Sequence, residues 1–312
     1  MKNLVERAVW SFWTKPFRAD RQSYWFSEKH HLLSWILSFE RARLYYPETI
    51  LITDDDGAGM LVDGLGLEFE TVSTELNALQ LHNPEWWVLG KLYAYRSQTQ
   101  PFVHIDSDVF LWKPLPDQVV SASIFAQNPE HFTFGDDHSC YRPEVYISTL
   151  ESANGWLPDE LKWSVSTQYN EAMCCGILGG QHVDLIRHYA YSAIKMLEHA
   201  NNQNAFSLLE QKPFHSIMVE QYFVAACVAY HQYQITSAYH DTTTAFLFNS
   251  FDAAFKHSKQ VGFTHLLGGA KKNPQLAQKL ETRVATDYPE RYQQCLQYLE
   301  QADTVKSTLL LQ

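Results

Sequence analysis

The segment that decides the fold is Phe102-Val103-His104-Ile105-Asp106-Ser107-Asp108, in which a short apolar run ends in two aspartates. The apolar run predicts a buried β-strand. Residues i and i+2 of an extended chain lie on the same side, so Asp106 and Asp108 can face one ligand together. Two carboxylates this close repel each other, and a hard divalent cation or a proton relieves that repulsion. The segment therefore predicts either a metal site at a strand end or a turn in which aspartates cap the backbone.

The residues on both sides of this strand predict an α/β fold, because β-like runs alternate with helical patterns. Toward the N-terminus we predict strands over residues 4–13, 49–53, 69–72 and 101–105, and helices over residues 27–45, 57–66 and 85–97. Toward the C-terminus we predict β-like runs at 119–125 and 173–178, a turn at Gly179 and Gly180, and helices over 183–199 and 216–231. Two amphipathic helices follow Asn273. We expect one domain over residues 1–272, with a helical extension over residues 273–312 packed on it.

Composition narrows the class of protein. Of the 312 residues, 46% are hydrophobic and 19% are charged, as in a folded enzyme-sized protein. The formal net charge of −11 argues against nucleic-acid binding, which needs a basic face. Five cysteines without a Cys-x-x-Cys pair indicate a reducing compartment. The N-terminal residues do not read as a secretory signal and no window reads as a membrane span, so we expect a cytoplasmic protein, with peripheral membrane contact left open.

A second chemical motif lies late in the chain, in His265-Leu266-Leu267-Gly268-Gly269-Ala270-Lys271. A neutral imidazole can join carboxylates on Mn²⁺, glycines let backbone N–H groups approach an anion, and a lysine can neutralise a phosphate. Taken alone, the segment is better interpreted as an ordinary glycine-rich loop with surface lysines. A Walker phosphate loop is excluded, because no Ser or Thr follows Lys271 or Lys272.

Together with Lys91-Leu92-Tyr93-Ala94-Tyr95, the two motifs resemble the GT-A glycosyltransferases, and most closely the family 8 group that includes glycogenin and bacterial galactosyltransferases. The resemblance covers the order of elements from about residue 4 to 272. It implies a GT-A-like, Rossmann-type α/β/α sandwich with a mostly parallel central sheet and a helical C-terminal extension. It also implies a metal-dependent glycosyltransferase, with a UDP-sugar favoured as the nucleotide-sugar donor and with retention at the anomeric carbon.

The resemblance also assigns roles to individual residues. Asp106, Asp108 and His265 would ligate Mn²⁺ or Mg²⁺. Asp108 and Glu220 would be the catalytic carboxylates, since Val219-Glu220-Gln221 resembles the family's Asp-Gln motif. The residues expected to bind the donor are Lys91, Ser11, Trp13, Thr14, Thr53, Asp54, Ser107, Gly268 and Lys271. Of these, Gly268 and Lys271 would hold the phosphates, and Ser11, Trp13, Thr14, Thr53 and Asp54 would lie near the nucleoside.

The sequence departs from the family pattern in three places. Glu220 replaces the usual aspartate, Cys174 occupies a slot that is often asparagine, and Lys272-Asn273 replaces a tryptophan-bearing end. These departures leave the identity of the transferred sugar open. The class of the acceptor also stays open: a glycan, a lipid-linked glycan, a peptide or a small molecule. Two rival functions also stay open: a nucleotidyl- or sugar-phosphate transferase, and a non-catalytic nucleotide-sugar-binding protein on the same fold.

Overall fold

The computed structural model describes residues 5–19, 24–210 and 212–309; Leu4 of the first predicted strand lies outside them. The strands of these residues are β1 (Arg7–Phe12), β2 (Glu48–Thr53), β3 (Thr71–Ser73), β4 (Phe102–Ile105), β5 (Val109–Leu111), β6 (Ile124–Ala126), β7 (Pro129–His131), β8 (Glu171–Met173), β9 (Ile177–Gly180), β10 (Thr244–Phe246) and β11 (Phe263–His265). The α-helices are α1 (Thr14–Ala19), α2 (Glu28–Ala42), α3 (Asp55–Ala58), α4 (Leu89–Ser97), α5 (Asp117–Val120), α6 (Pro143–Ser152), α7 (Asp159–Ser166), α8 (Val183–Glu198), α9 (Asn202–Leu208), α10 (Lys212–Ile217), α11 (Phe223–Tyr233), α12 (Phe251–Val261), α13 (Pro274–Asp287) and α14 (Pro289–Leu309). Within the described part of the chain, each helix is too short or too polar to span a bilayer.

Seven strands form the central sheet, in the order β10-β6-β9-β4-β1-β2-β3. β4, β1, β2 and β3 run parallel to one another, and so do β10 and β6. Only β9 runs antiparallel to its two neighbours in this sheet. The α/β class with a mostly parallel central sheet is therefore confirmed.

Helices cover both faces of the sheet. The core on one face joins residues of α4, α8 and α11 to the sheet, and the core on the other face joins residues of α2, α13 and α14 to it. β4 lies between these layers, and all four of its residues are buried, as expected of a strand covered on both faces. The two predicted C-terminal helices are present as α13 and α14, and both pack on α2.

Two helix predictions are wrong in their boundaries. The helix predicted from Glu85 begins at Leu89. Before it, the side chain of Asn83 accepts the backbone N–H of Glu85 and Asn83 O accepts the N–H of Trp86, so residues 83–86 form a turn. The helix predicted over residues 216–231 is divided into α10, a π-helical turn at Met218–Tyr222, and α11.

Three strand predictions also need correction. The run at residues 119–125 forms the end of α5 and the start of β6, and the strand predicted at 69–72 lies at Thr71–Ser73. The run at 173–178 is divided between β8 and β9 by Cys174-Cys175-Gly176. Gly179 and Gly180 belong to β9 rather than to a turn. A Cβ on Gly179 would collide with the carbonyl oxygen of Phe102 on β4, which explains a glycine inside this strand.

The topology places the two sequence motifs side by side. β4 ends at Ile105, and Asp106-Ser107-Asp108 turns the chain into β5, with Val109 N–H donating to Asp106 O at 3.0 Å. β5 pairs antiparallel with β11, so that His265 lies opposite Val109. The late motif thus reaches the carboxyl end of β4 through a short two-stranded sheet.

Candidate functional site

The carboxyl ends of β1 and β4 open into a cleft of about 360 Å³, which we call the strand-end cleft. Polar side chains from distant parts of the chain line it, among them Asp106, Asp108, Lys91, Glu220 and His265. In a sheet of parallel strands, this edge is where ligands usually bind. The cleft is therefore the candidate site.

The ligand atoms of Asp106, Asp108 and His265 all lie within 4.8 Å of one another. His265 Nε2 lies 3.4 Å from Asp108 Oδ1. The pairing of β5 with β11 explains this contact, because it aligns the residue after Asp108 with His265. Two carboxylates and an imidazole form a donor set that suits Mn²⁺.

The hydrogen bond on the other side of the imidazole supports this donor set. His265 Nδ1 lies 2.7 Å from Gln127 Oε1, while Gln127 Nε2 donates to Asn128 Oδ1 at 3.0 Å. Because Gln127 Oε1 only accepts, Nδ1 carries the proton, and in the neutral ring Nε2 then presents a lone pair toward Asp108. Asp108 Oδ1 is buried and has no hydrogen-bond partner. The lone pairs on His265 Nε2 and Asp108 Oδ1 repel each other unless a cation or a second ring proton lies between them. These residues therefore fit a metal ion.

Gln127 has no counterpart among the residues predicted from the sequence. It directly follows β6, and no motif marks it. A residue that fixes the tautomer and orientation of a metal-binding histidine commonly lies just behind the ligands. Gln127 occupies that position relative to His265.

Two lysines pair with the acidic residues of the cleft. Lys91 Nζ lies 2.6 Å from Asp106 Oδ1 and 2.5 Å from Glu220 Oε1. Lys271 Nζ lies 2.5 Å from Asp108 Oδ2. Three carboxylates thus face two ammonium groups, which leaves one uncompensated negative charge when His265 is neutral. A bound divalent cation would change the net charge of this group from one negative to one positive charge. A positive charge there is complementary to an anionic diphosphate.

The pKa values of the two aspartates move in opposite directions. Burial raises the pKa of Asp108, but the ammonium of Lys271, and the ring of His265 when it is protonated, lower it by more, so its pKa lies well below the usual value. For Asp106, burial and the neighbouring Asp108 raise the pKa, and Lys91 only partly offsets them. Burial lowers the pKa of Lys91, but Asp106 and Glu220 raise it by more, so Lys91 keeps its charge.

The residues expected around the phosphates lie along the same cleft. Gly268 and Lys271 line it, and so does Ser107, another residue expected to bind the donor. Gly268 has a positive φ of 47° at the start of a 3-10 turn over Gly268–Lys272, and a Cβ at this position would have open space around it. The ammonium of Lys271 also lies 5.5 Å from the centre of the Trp25 ring. A glycine with open space around it and one lysine therefore lie at this edge of the cleft.

The residues expected near the nucleoside divide into two groups. Ser11 and Trp13 line the strand-end cleft, and Ser11 Oγ lies 2.9 Å from His104 Nε2. Trp13 also borders an adjacent pocket of about 360 Å³, which Thr14 and Asp54 line. Both pockets are thus accessible from the carboxyl end of β1.

Two of the nucleoside candidates have structural hydrogen bonds that occupy their polar atoms. Thr53 is fully buried, and its Oγ1 donates to Phe12 O at 2.6 Å. Asp54 Oδ2 accepts from Thr14 N at 2.9 Å and Thr14 Oγ1 at 2.8 Å, and Oδ1 accepts from Gly57 N at 2.8 Å. Asp54 therefore caps α3 and joins it to the start of α1.

Comparison with protein families gives one assignment. The chain belongs to the family described as "Family of unknown function (DUF6734)", whose model matches residues 6–298. No curated protein matches the chain significantly.

Two solved structures that resemble the chain are glycosyltransferases. The galactosyltransferase LgtC, in complex with donor and acceptor sugar analogues, shares 11% identity over 88% of this chain and 95% of its own, with a TM-score of 0.38. The bifunctional glycosyltransferase WbbM shares 12% identity over 70% of this chain, with a TM-score of 0.29. The match spans 38% of the WbbM chain. Likeness at this level says nothing about donor, metal or mechanism.

Proposed function

We propose that this protein is a metal-dependent glycosyltransferase, which transfers a sugar from a nucleotide-sugar donor to an acceptor hydroxyl. The convergence of Asp106, Asp108 and His265 beside Lys271 in one cleft carries the proposal. A UDP-sugar is the favoured donor, because the motifs that meet here resemble those of UDP-sugar-dependent GT-A enzymes.

The metal site of this proposal consists of Asp106, Asp108 and His265, which would hold Mn²⁺ or Mg²⁺. A divalent cation bound there would neutralise the charge that develops on the departing nucleoside diphosphate. Gln127 keeps the proton on His265 Nδ1 and so leaves Nε2 free to act as a ligand.

Lys271 and Gly268 form the phosphate-binding part of the proposed site. The four-carbon side chain of Lys271 is flexible, so its ammonium can exchange Asp108 for a phosphate oxygen at the same edge of the cleft. Gly268, with open space where a Cβ would lie, allows an anion to approach the backbone. Neither interaction requires the protein to protonate the leaving group.

Glu220 is the candidate carboxylate on the sugar side of the site. Its side chain is 1% exposed and is oriented by Lys91, which also pairs with Asp106. Lys91 thus couples the position of Glu220 to that of a proposed metal ligand. In this position Glu220 would stabilise the positive charge on the sugar or position the acceptor, in a reaction that retains the anomeric configuration.

The test is UDP release from UDP-glucose, UDP-galactose and their N-acetyl forms, with and without Mn²⁺. We expect the wild-type protein to release UDP and Asp108→Asn to lose most of this activity, because the change removes a negative ligand at constant size. Asp252→Asn, at an exposed position of α12, is the matched control and should behave as wild type. Circular dichroism establishes equal folding of the three proteins.

Each rival function gives a different result in this assay. Equal UDP release by wild type and Asp108→Asn would show that Asp106-Ser107-Asp108 is only a structural turn. Binding of a UDP-sugar without release, in the presence of candidate acceptors, would identify a binding protein. Release of pyrophosphate from a nucleoside triphosphate and a sugar phosphate would identify a nucleotidyltransferase.

A further inference from the structure

A second cluster of metal-binding side chains lies where α7, α8 and α11 meet. It consists of Glu160, His188, Cys227 and His231, whose ligand atoms all lie within 4.8 Å of one another. None of the four lines the strand-end cleft. The cluster therefore lies outside the proposed glycosyltransferase site.

The distances within the cluster are close to those of a tetrahedral site. Glu160 Oε1 lies 2.7 Å from His188 Nε2 and 3.4 Å from His231 Nε2. The two imidazole rings are 5.1 Å apart and nearly perpendicular, at 79°. Bonds to zinc of about 2.0–2.3 Å place neighbouring tetrahedral ligands about 3.3–3.7 Å apart. Side-chain shifts on the order of 1 Å would bring the four atoms to these separations.

The orientation of His231 points to a missing partner. Its Nδ1 lies 2.8 Å from Ser237 Oγ, which fixes the ring. Its Nε2 is buried, faces Glu160 and has no hydrogen-bond partner. Buried polar atoms are rarely left unsatisfied. A cation at the centre of the cluster would satisfy Nε2.

An ion pair alone accounts for only part of the cluster. The contact between Glu160 and His188 is an ordinary hydrogen bond between a carboxylate and an imidazole. It does not account for the fully buried Cys227 beside them, and His231 Nε2, at 3.4 Å from Glu160 Oε1, makes no hydrogen bond. Cys227 and His231 are four residues apart on α11, so both side chains lie on the same face of the helix.

We propose that Glu160, His188, Cys227 and His231 form a zinc site that fastens α7, α8 and α11 to one another. One thiolate and two imidazoles favour Zn²⁺ over Mg²⁺, Ca²⁺ or Mn²⁺. Four protein ligands leave no position for water, which is typical of a structural site. Cys227 loses its thiol proton to solvent when the ion binds, and no oxidation or reduction is involved. The half-exposed side of the cluster at His188 gives the ion a path from solvent.

The test is metal binding by the full-length protein, with Co²⁺ as a spectroscopic probe and zinc measured by mass spectrometry after dialysis. We use the Asp108→Asn background, so that the strand-end cleft does not contribute. We expect one tightly held zinc per chain and, with Co²⁺, a near-ultraviolet band from thiolate-to-cobalt charge transfer. Cys227→Ser should abolish the band and weaken zinc binding by more than the ~10–100-fold loss caused by removing an outer-shell partner.

Cys295→Ser is the matched control, because Cys295 is also a fully buried free cysteine but lies outside the cluster. It should retain both the zinc and the band. If Cys227→Ser does not fold, a Co²⁺ titration of chelator-treated protein with Cys227 intact decides the question. Absence of the band there, or equal zinc retention by a folded Cys227→Ser, would overturn the proposal. Neither result depends on glycosyltransferase activity.

Discussion

Lys91→Met tests whether the strand-end cleft is organised around one buried cation. The substitution keeps the length of the side chain and removes its charge. Lys91 is 14% exposed and Glu220 only 1% exposed, with 2.5 Å between Nζ and Oε1. The opposing effects of burial and of its two acidic partners leave the pKa of Lys91 raised, so wild type carries this charge at neutral pH.

The expected loss of stability follows from the burial of Glu220. Removing one partner of a buried ion pair costs about 3–5 kcal/mol, because the other charge stays buried without compensation. Asp106 loses the same partner, but its side chain is 21% exposed and water reaches it more easily than Glu220, so Glu220 accounts for the larger part of the loss. Adding Glu220→Gln to Lys91→Met removes that buried charge, and should restore at least about 1 kcal/mol.

Urea-induced unfolding at pH 7 with a chelator present, followed by tryptophan fluorescence, measures these free energies. Lys113→Met is the control, because the exposed Nζ of Lys113 donates only to the carbonyl oxygen of Gln260 among the bonds described. Its stability should stay within about 0.5 kcal/mol of wild type. A loss below about 1 kcal/mol in Lys91→Met, or a double variant no more stable than Lys91→Met, would refute the reasoning.

Three further predictions concern ligand binding and turnover. Lys271→Ala should weaken UDP binding in the presence of Mn²⁺ by about 1.5–3 kcal/mol, which calorimetry would measure as a rise of about 10–150-fold in Kd. Lys272→Ala, at an exposed position, is the control and should leave the Kd unchanged. Equal Kd values for wild type and Lys271→Ala would remove Lys271 from the site. Gln127→Leu should weaken Mn²⁺ binding by about 10–100-fold, because His265 loses the acceptor that orients it, and an unchanged Mn²⁺ affinity would contradict this role. Glu220→Gln should lower UDP release and leave the donor Kd nearly unchanged; a matching loss of donor affinity would show that Glu220 only binds the donor.

The local parts of the candidate site could be predicted from the sequence. Asp106 and Asp108 end a run that is apolar enough to mark a buried strand, so their placement follows from one segment. The position of His265 follows from pairing between β5 and β11, each only three residues long. Such short strands carry too little periodicity to be predicted, so the sequence does not predict their pairing. Only the resemblance to family 8 predicts that His265 lies near the two aspartates.

Interactions that depend on tertiary packing could not be predicted. Gln127 reaches His265 because β6 lies next to β9 in the sheet, and nothing around residue 127 signals a contact with the late motif. An aspartate shortly before a predicted helix suits a helix cap as well as a ligand contact, so the sequence alone does not decide the role of Asp54. Its hydrogen bonds to Thr14 and Gly57 establish the cap.

The second metal-binding cluster is even harder to predict from the sequence. Glu160, His188 and Cys227 lie on three different helices, and only the spacing of Cys227 and His231 is visible within one segment. An isolated Cys-x-x-x-His pair on a helix is far less specific than the paired spacings of known zinc motifs. The packing of α7 and α8 against α11 supplies the other two ligands.

The π-helical turn that interrupts the helix predicted over residues 216–231 connects the strand-end cleft to the proposed zinc site. Phe223 N–H donates to Met218 O, five residues back, so Met218–Tyr222 is a π-helical turn that carries Glu220. A π turn widens the helix and rotates every residue after it relative to a regular α-helix. Glu220 therefore faces the strand-end cleft while Cys227 and His231, on the continuation of the same helix, face α7 and α8. Ligands that fasten α11 at Cys227 and His231 also restrain the orientation of Glu220, because about two helical turns of 5.4 Å separate Glu220 from Cys227.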